Sequence, residues 1–316
     1  MKVKIGRREF VKKSAKIGFS TAIGSSFIHQ FMDGSIHASA GEKIDVAVVL
    51  GNDYFKNTIR AVELLGGIEK FVQKKSKVAI LANVQSRNPG AFTKPVLLRA
   101  AISMCKKAGA GEINCVSLLP RKNWESAGLA QVIEEEGVNL KLIDRDNETL
   151  FNTVPVPKGK ALKEARIMKE FFNNDVFINM PITKDHAGNL FTGTMKNLMG
   201  LNSRKSNRSF HKENWRTDRN SIEFLDQCIA DLNSVIKPTL CIVDATEFIT
   251  TNGPFGPGTI IKPQKVVVGV DRVAIDAYCT TLWGLKPEDI IMINKGYEHK
   301  LGEIDLKKKK IKEIKV

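Results

Sequence analysis

At 316 residues, with 42% hydrophobic and 26% charged side chains, the chain is long enough to bury a sizeable core. Its formal charge of +15 favours anionic partners, but no zinc-finger, helix-turn-helix or RNA-recognition signature accompanies it, so nucleic acid is not expected as a partner. None of the five cysteines, Cys105, Cys115, Cys228, Cys241 and Cys279, is spaced Cys-x-x-Cys, which leaves a cysteine-ligated iron–sulfur cluster or zinc ribbon without support.

Residues 1–40 read as an export signal. Arg7-Arg8-Glu9-Phe10-Val11-Lys12 resembles the twin-arginine consensus, a mildly apolar stretch runs from Ile17 to Met32, and Ala38-Ser39-Ala40 is a small-residue cleavage site. The expected mature start is Gly41, with the twin-arginine export machinery as a partner and the periplasm or extracytoplasmic space as the destination. The apolar stretch is too short and interrupted for a stable membrane span after cleavage. Seven basic and two acidic residues lie in this segment, so the mature charge falls to about +10.

Beyond residue 40, apolar runs alternate with longer amphipathic stretches, the pattern of an α/β protein with mainly parallel sheets and flanking helices. Strands are predicted at Ile44–Leu50, Lys77–Ala82, Glu112–Ser117, Asp175–Asn179, Leu240–Val243 and Lys265–Val270. Helices are predicted at Phe55–Lys74, Lys94–Ala108, Trp124–Glu136, Lys160–Asn173, Arg219–Ile236 and Arg272–Leu282. Residues 148–158, with Pro155 and Pro157, suggest a seam between an N-terminal lobe (41–150) and a C-terminal lobe (151–316), with a site between the two lobes. No phosphate-binding glycine loop follows any strand. The lysine run 307–310 reads as a solvated edge, because Ile311, Ile314 and Val316 continue an alternating pattern after it.

The chemistry-bearing residues crowd after the strand ending at Asn179. Ligands in open α/β sheets bind at the carboxyl ends of strands, where Lys184, Asp185 and His186 emerge. A single loop histidine beside an aspartate would read as a surface residue; here more reactive groups follow within one or two turns. Phe191–Gly200 suggests a short helix with Thr192 and Lys196 on one face, and Gly193 allowing close approach of a ligand or another backbone. Lys196 could fix an anion, act as a base or hold a cofactor covalently, or be an exposed helix lysine. From Ser203 to Arg219 the chain is strongly basic, which suggests a small anionic ligand or a flexible surface loop. His211, within this stretch, could bind a metal or exchange protons. Ser86-Arg87 leaves a strand end in the first half, with Arg87 as an anion clamp or loop charge. Asp244 and Asp276 are candidate ligands or acid/base groups, and Asp271 is more simply a helix N-cap.

Lys184-x-His186, Thr192-Gly193-x-x-Lys196-Asn197-x-x-Gly200, His211, Asp244-Ala245, Gly253-Pro254 and Gly269-x-Asp271-x-x-Ala274-x-Asp276 together resemble the domain of unknown function 362 family. A more distant likeness is to the nickel-pincer lactate racemase family. That resemblance implies His186 as an acid/base group, Lys196 as the anchor of a pincer cofactor, His211 as a ligand to nickel or another divalent metal, and Arg87 with Ser86 as anion contacts. Where those racemases carry a second catalytic histidine before an arginine, this chain has Pro120-Arg121, which tells against two-base racemisation.

The expected function is that of an exported, metal- or pincer-cofactor-dependent isomerase or oxidoreductase. Catalysis would rest on His186, Lys184 and Asp244, with Lys196, Thr192, Gly193, Asn197, Arg87 and Ser86 binding cofactor or ligand. The alternative is a non-catalytic binding or maturation protein for an exported redox system.

Overall fold

The computed structural model describes residues 43–316, so the expected export signal and its expected cleavage site lie outside the described residues. Those residues form one compact unit around an eight-stranded sheet. Its strands are β1 (Val46–Leu50), β2 (Lys77–Ala82), β3 (Glu112–Ser117), β4 (Asn139–Leu142), β7 (Val176–Met180), β8 (Leu240–Ala245), β11 (Lys265–Gly269) and β12 (Ile311–Lys315). Two small antiparallel pairs stand apart: β5 (Phe151–Pro155) with β6 (Glu164–Met168), and β9 (Phe248–Ile249) with β10 (Ile260–Ile261).

The helices are α1 (Tyr54–Leu64), α2 (Pro95–Lys107), α3 (Arg121–Ser126), α4 (Leu129–Glu135), α5 (Lys169–Phe172), α6 (Thr194–Asn197), α7 (Arg204–Phe210), α8 (Arg219–Val235), α9 (Arg272–Thr281) and α10 (Ile291–Glu298). Among the described residues no helix is long and apolar enough to cross a membrane.

Strand order is β12-β1-β11-β8-β7-β2-β3-β4. Neighbours are parallel except at β11, which runs antiparallel to both β1 and β8. The six inner strands are buried on both faces, which is why they read as near-continuous apolar runs, while the edge strands β4 and β12 are largely exposed or half-buried. Alternate residues serve opposite layers, as the period of two requires. Val46, Val48, Ala79, Leu81 and Val243 join one core cluster, and Ala47, Val49, Val78, Ile80 and Ile242 the other. Each fully buried Val, Leu or Ile side chain contributes about 1.5–3 kcal/mol of transfer free energy.

One sheet takes strands from both sides of the expected seam, β1 to β4 from before it and β7, β8, β11 and β12 from after it, and residues 148–158 enter the β5–β6 hairpin. The helix expected over Lys160–Asn173 is β6 followed by the single turn α5. Leu162, Ala165 and Met168 mimic a helical stripe, but Ala165 and Ile167 are buried on either side of half-buried Arg166, a period of two. The expected helix Trp124–Glu136 is broken into α3 and α4 at Ala127-Gly128. The helix expected from Phe55 ends at Leu64, followed by a short 3-10 turn at Ile68–Lys70.

From β2 the chain builds outward through β3 and β4, then returns to the other side of β2 with β7 and β8. The reversal leaves a crevice outside the carboxyl ends of β2 and β7, where open α/β sheets bind ligands.

Candidate functional site

A cavity of about 650 Å³ fills that crevice. Leu81 to Gln85 line it from the end of β2, Ser117 to Leu119 from the end of β3, and His186, Thr192, Lys196 and Asn197 from the segment after β7. Arg204, Asn207, Arg208, His211, Trp215 and Arg216 close it from α7 and the turn that follows. Strand ends and loops from both halves of the sequence therefore build one site.

Local chemistry fixes the segment after β7. Lys184 and Thr192 pair as a bridge, Thr192 N–H donating to the Lys184 carbonyl at 2.8 Å, so the loop between them returns on itself with His186 at its bend. Gly253 presses against the Asp185 carbonyl, its own N–H donates to Asp185 Oδ2 at 2.7 Å, and a Cβ there would overlap that carbonyl. The single turn α6 opens on the Asp276 carboxylate, which accepts the N–H groups of Thr194 (2.6 Å) and Met195 (3.0 Å). Gly193 makes room for that carboxylate, not for a ligand, and does not line the cavity.

The two imidazoles are held alike. His186 Nδ1 lies 2.8 Å from the Ala187 carbonyl, and His211 Nδ1 lies 2.8 Å from the Asn207 carbonyl. A carbonyl only accepts, so each Nδ1 carries the proton and each Nε2 keeps its lone pair. Trp215 stands against both rings, with centroids 5.4 Å from His186 and 4.9 Å from His211. Burial, and then the charge of Lys196, push both imidazoles below their ordinary range, His186 strongly, and so favour the neutral form.

Lys196 is buried and donates to Asn189 Oδ1 at 3.1 Å, while the Asn189 amide donates to Asp226. Burial lowers the amine and raises the Asp226 carboxyl, and each opposes the shift of the other. Asp226 Oδ2 and Thr192 Oγ1 are buried without a hydrogen-bond partner.

Lys184 lies beneath this floor, fully buried and outside the lining. Its Nζ donates to the Ala91 carbonyl at 2.6 Å and Asn83 Oδ1 at 3.3 Å, and burial followed by the charge of Lys196 brings its pKa to about 7. Asn83 also donates to Asn197 Oδ1 (3.1 Å), and Asn197 to Asn179 Oδ1 (2.8 Å), tying β2, β7 and α6 together.

Of the residues expected from sequence, His186, Lys196, Thr192, Asn197 and His211 meet in the cavity. Asp244 does not. Its carboxylate accepts Lys94 N–H (2.8 Å) ahead of α2, and Thr246 N–H (3.0 Å) and O–H (2.6 Å), so its lone pairs serve the fold. Ser86 donates to the Phe255 carbonyl at 2.6 Å and anchors the loop whose Phe255 lines the cavity, while Arg87 is exposed and outside the lining. Arg145, Asn189 and Asp226 were not anticipated. Asp226 had a legible signal, a carboxylate on the apolar stripe Ile222, Leu225, Ile229, Leu232 of α8; Arg145 had none.

Among the described residues no group of three or more His, Cys, Asp or Glu is placed to hold a metal. His186 and His211 could offer two nitrogen ligands, so a metal here would have to bring the rest of its coordination with it. The five cysteines are all buried and take no part in the cavity lining.

A family model described as a domain of unknown function (DUF362) matches residues 78–281. A thylakoid-associated protein of Synechocystis sp. is 25% identical over 241 residues, covering 72% of this chain and 70% of the relative. Two solved structures are loosely similar. The lactate racemase apoprotein of Thermoanaerobacterium thermosaccharolyticum has 14% identity and a TM-score of 0.45, covering 74% of this chain and 58% of its own. A structural-genomics target from Thermotoga maritima has 14% identity and a TM-score of 0.40, covering 61% of this chain and 51% of its own. This chain thus spans little more than half the length of either.

Proposed function

Because the chain belongs to the DUF362 family, whose description names no activity, we propose a function from the cavity itself: it binds a small anionic molecule and moves protons on it with His186 and His211 as neutral bases. The observation that carries this reading is the charge of the lining. Lys196, Arg145, Arg204, Arg208 and Arg216 face one cavity whose lining includes no Asp or Glu. Arg204 and Arg145 meet Asp146 outside the lining, and Lys196 feels the charge of Asp226. Arg208 and Arg216 have no ion pair among the described residues, and cations left unpaired in this way favour an anion between them.

The residues divide the work. Lys196, as an ammonium, would hold an acid group of the ligand, with the unpartnered Thr192 hydroxyl beside it. Either Nε2 would then accept a proton from the bound molecule, and the imidazolium so formed would be stabilised by the negative charge left behind. Burial makes that imidazolium costly, so the proton returns readily to the ligand.

Lys196 and His211 line the same cavity; a pincer group tethered to Lys196 with its metal on His211 would, if bound, supply metal chemistry there. Metal analysis and intact mass of the purified protein test this, an added mass on Lys196 being the positive result. Calorimetric titration with inorganic phosphate at pH 7 tests the central reading. Saturable binding that weakens at least tenfold in Lys196→Met is expected; no binding, or binding unaffected by the substitution, would contradict it.

A second reading is a non-catalytic binding or maturation protein for an exported redox system, which the same cation-lined cavity would serve by holding an acid without turnover. Retention of a bound acid with no exchange of its protons for solvent deuterium would decide for it. The export proposal itself is tested by the mass of the mature protein, which should begin at Gly41.

A further inference from the structure

We propose that the ligand carries two separate acid groups, one seated inside at Lys196 and Thr192 and the other held at the rim by Arg208 and Arg216. Its class is an elongated molecule with two separate acid groups, a dicarboxylate or a phosphorylated carboxylic acid. This rests on the anion-binding reading above and goes beyond it in fixing the number and placement of the charges.

Two sets of cations line the cavity, and they differ in their partners. Inside, the Lys196 ammonium has three donors and gives one to Asn189 at 3.1 Å, leaving the others for a ligand beside the buried, unpartnered Thr192 hydroxyl. At the rim, Arg204 is already satisfied by Asp146 at 2.9 Å, and Arg145 lies 4.0 Å from the same carboxylate. Arg208 and Arg216 form no ion pair among the described residues, although both line the cavity. Arg216 is instead stacked on Trp215, its Cζ 5.0 Å from the ring, which orients the guanidinium without neutralising it.

Trp215 stands between the rim and the interior, 5.0 Å from Arg216 Cζ on one side of the contact and 5.4 Å from the His186 ring on the other. Leu118, Leu119, Met199 and Phe255 supply apolar lining to the same cavity, suited to a carbon skeleton joining two acids. A volume of about 650 Å³ is that of a site for a drug-sized ligand and leaves most of its space unfilled around a two-carbon acid.

The test is calorimetric titration at constant ionic strength with three probes: acetate, glutarate and 3-phosphoglycerate. Glutarate or 3-phosphoglycerate should bind at least tenfold more tightly than acetate, and which of the two gains more tells carboxylate from phosphate at the rim. Arg208→Gln with Arg216→Gln should abolish that gain, read as the ratio of each probe's affinity to that of acetate in the same variant. Both side chains are exposed, so the core is untouched. Arg87→Gln with Lys205→Gln removes the same charge outside the cavity lining and should preserve the gain. Equal affinity for all three probes, a gain that survives the rim substitutions, or a gain lost equally in the outside control would overturn the inference. Acetate binding without a dianion gain overturns this inference alone; no binding of any probe overturns the anion-binding reading with it.

Discussion

A backbone carbonyl sets the proton on each cavity imidazole, at Ala187 for His186 and at Asn207 for His211, and neither contact could be read from sequence. The residue types could be. Histidine is rare in this chain, and its clustering with a lysine after a strand end marked the site; His186, Lys196 and His211 do share one cavity. Direction was not legible. Asp244 and Arg87 are equally reactive types at equally suggestive strand ends, yet one carboxylate is consumed by backbone and hydroxyl donors and the other side chain faces solvent. Lys184 shows a third outcome, a buried amine beneath the floor with its pKa lowered to about 7. The sign of its effect on stability follows. The unfolded amine takes up its proton below the ordinary value of 10.5, whereas the folded one does so only near 7. Stability contributed by Lys184 therefore falls as pH drops from about 10 to 7 and then levels off. Lys184→Met should lose that slope, so urea midpoints of variant and wild type should shift in the variant's favour between pH 10 and pH 7. A constant difference across that range would contradict the burial of a neutral amine.

At the scale of elements, the helix that carries Lys196 is too short to stand alone and is held by a residue far along the chain. Its N–H groups at Thr194 and Met195 are satisfied by Asp276 of α9, at the position where Gly193 leaves room. Sequence marked both residues but assigned the glycine to a ligand, because close approach is visible in a glycine and the approaching group is not. The loop around Gly253 plays the same part for His186. Gly253→Ala would drive a methyl into the Asp185 carbonyl and should cost about 1–3 kcal/mol, read as a lower urea midpoint, together with weaker phosphate binding. Unchanged stability and binding would show that the two loops are free to move apart. Central strands such as β2 and β3 were legible to the residue, since burial on both faces writes an unbroken apolar run. The β5–β6 hairpin was not, because most of β5 is exposed and the apolar spacing around β6 imitates a helix.

For the molecule as a whole, the α/β class followed from alternation of runs and stripes, while the single sheet did not. Local pattern cannot say that β11 turns antiparallel between β1 and β8, or that the C-terminal β12 crosses back to lie beside β1. That last pairing covers the edge of a fully apolar strand, and Lys312 and Lys315 sit on the new, outermost edge. Removing residues 311–316 would uncover β1 and also release Glu313 from Lys265 (2.7 Å) and Tyr278 (2.6 Å). Size-exclusion chromatography should show higher oligomers of the truncated protein; a stable monomer indistinguishable from the parent would contradict the covering role.

The proposed proton transfer requires two neutral imidazoles whose free Nε2 atoms share a cavity with an anion. Nitrogen-15 NMR of the histidine rings at pH 7, assigned with His186→Gln and His211→Gln, reads this directly. Both rings should be neutral with the proton on Nδ1, and both Nε2 resonances should shift saturably when inorganic phosphate is added. Imidazolium rings, or Nε2-protonated rings indifferent to phosphate, would contradict it.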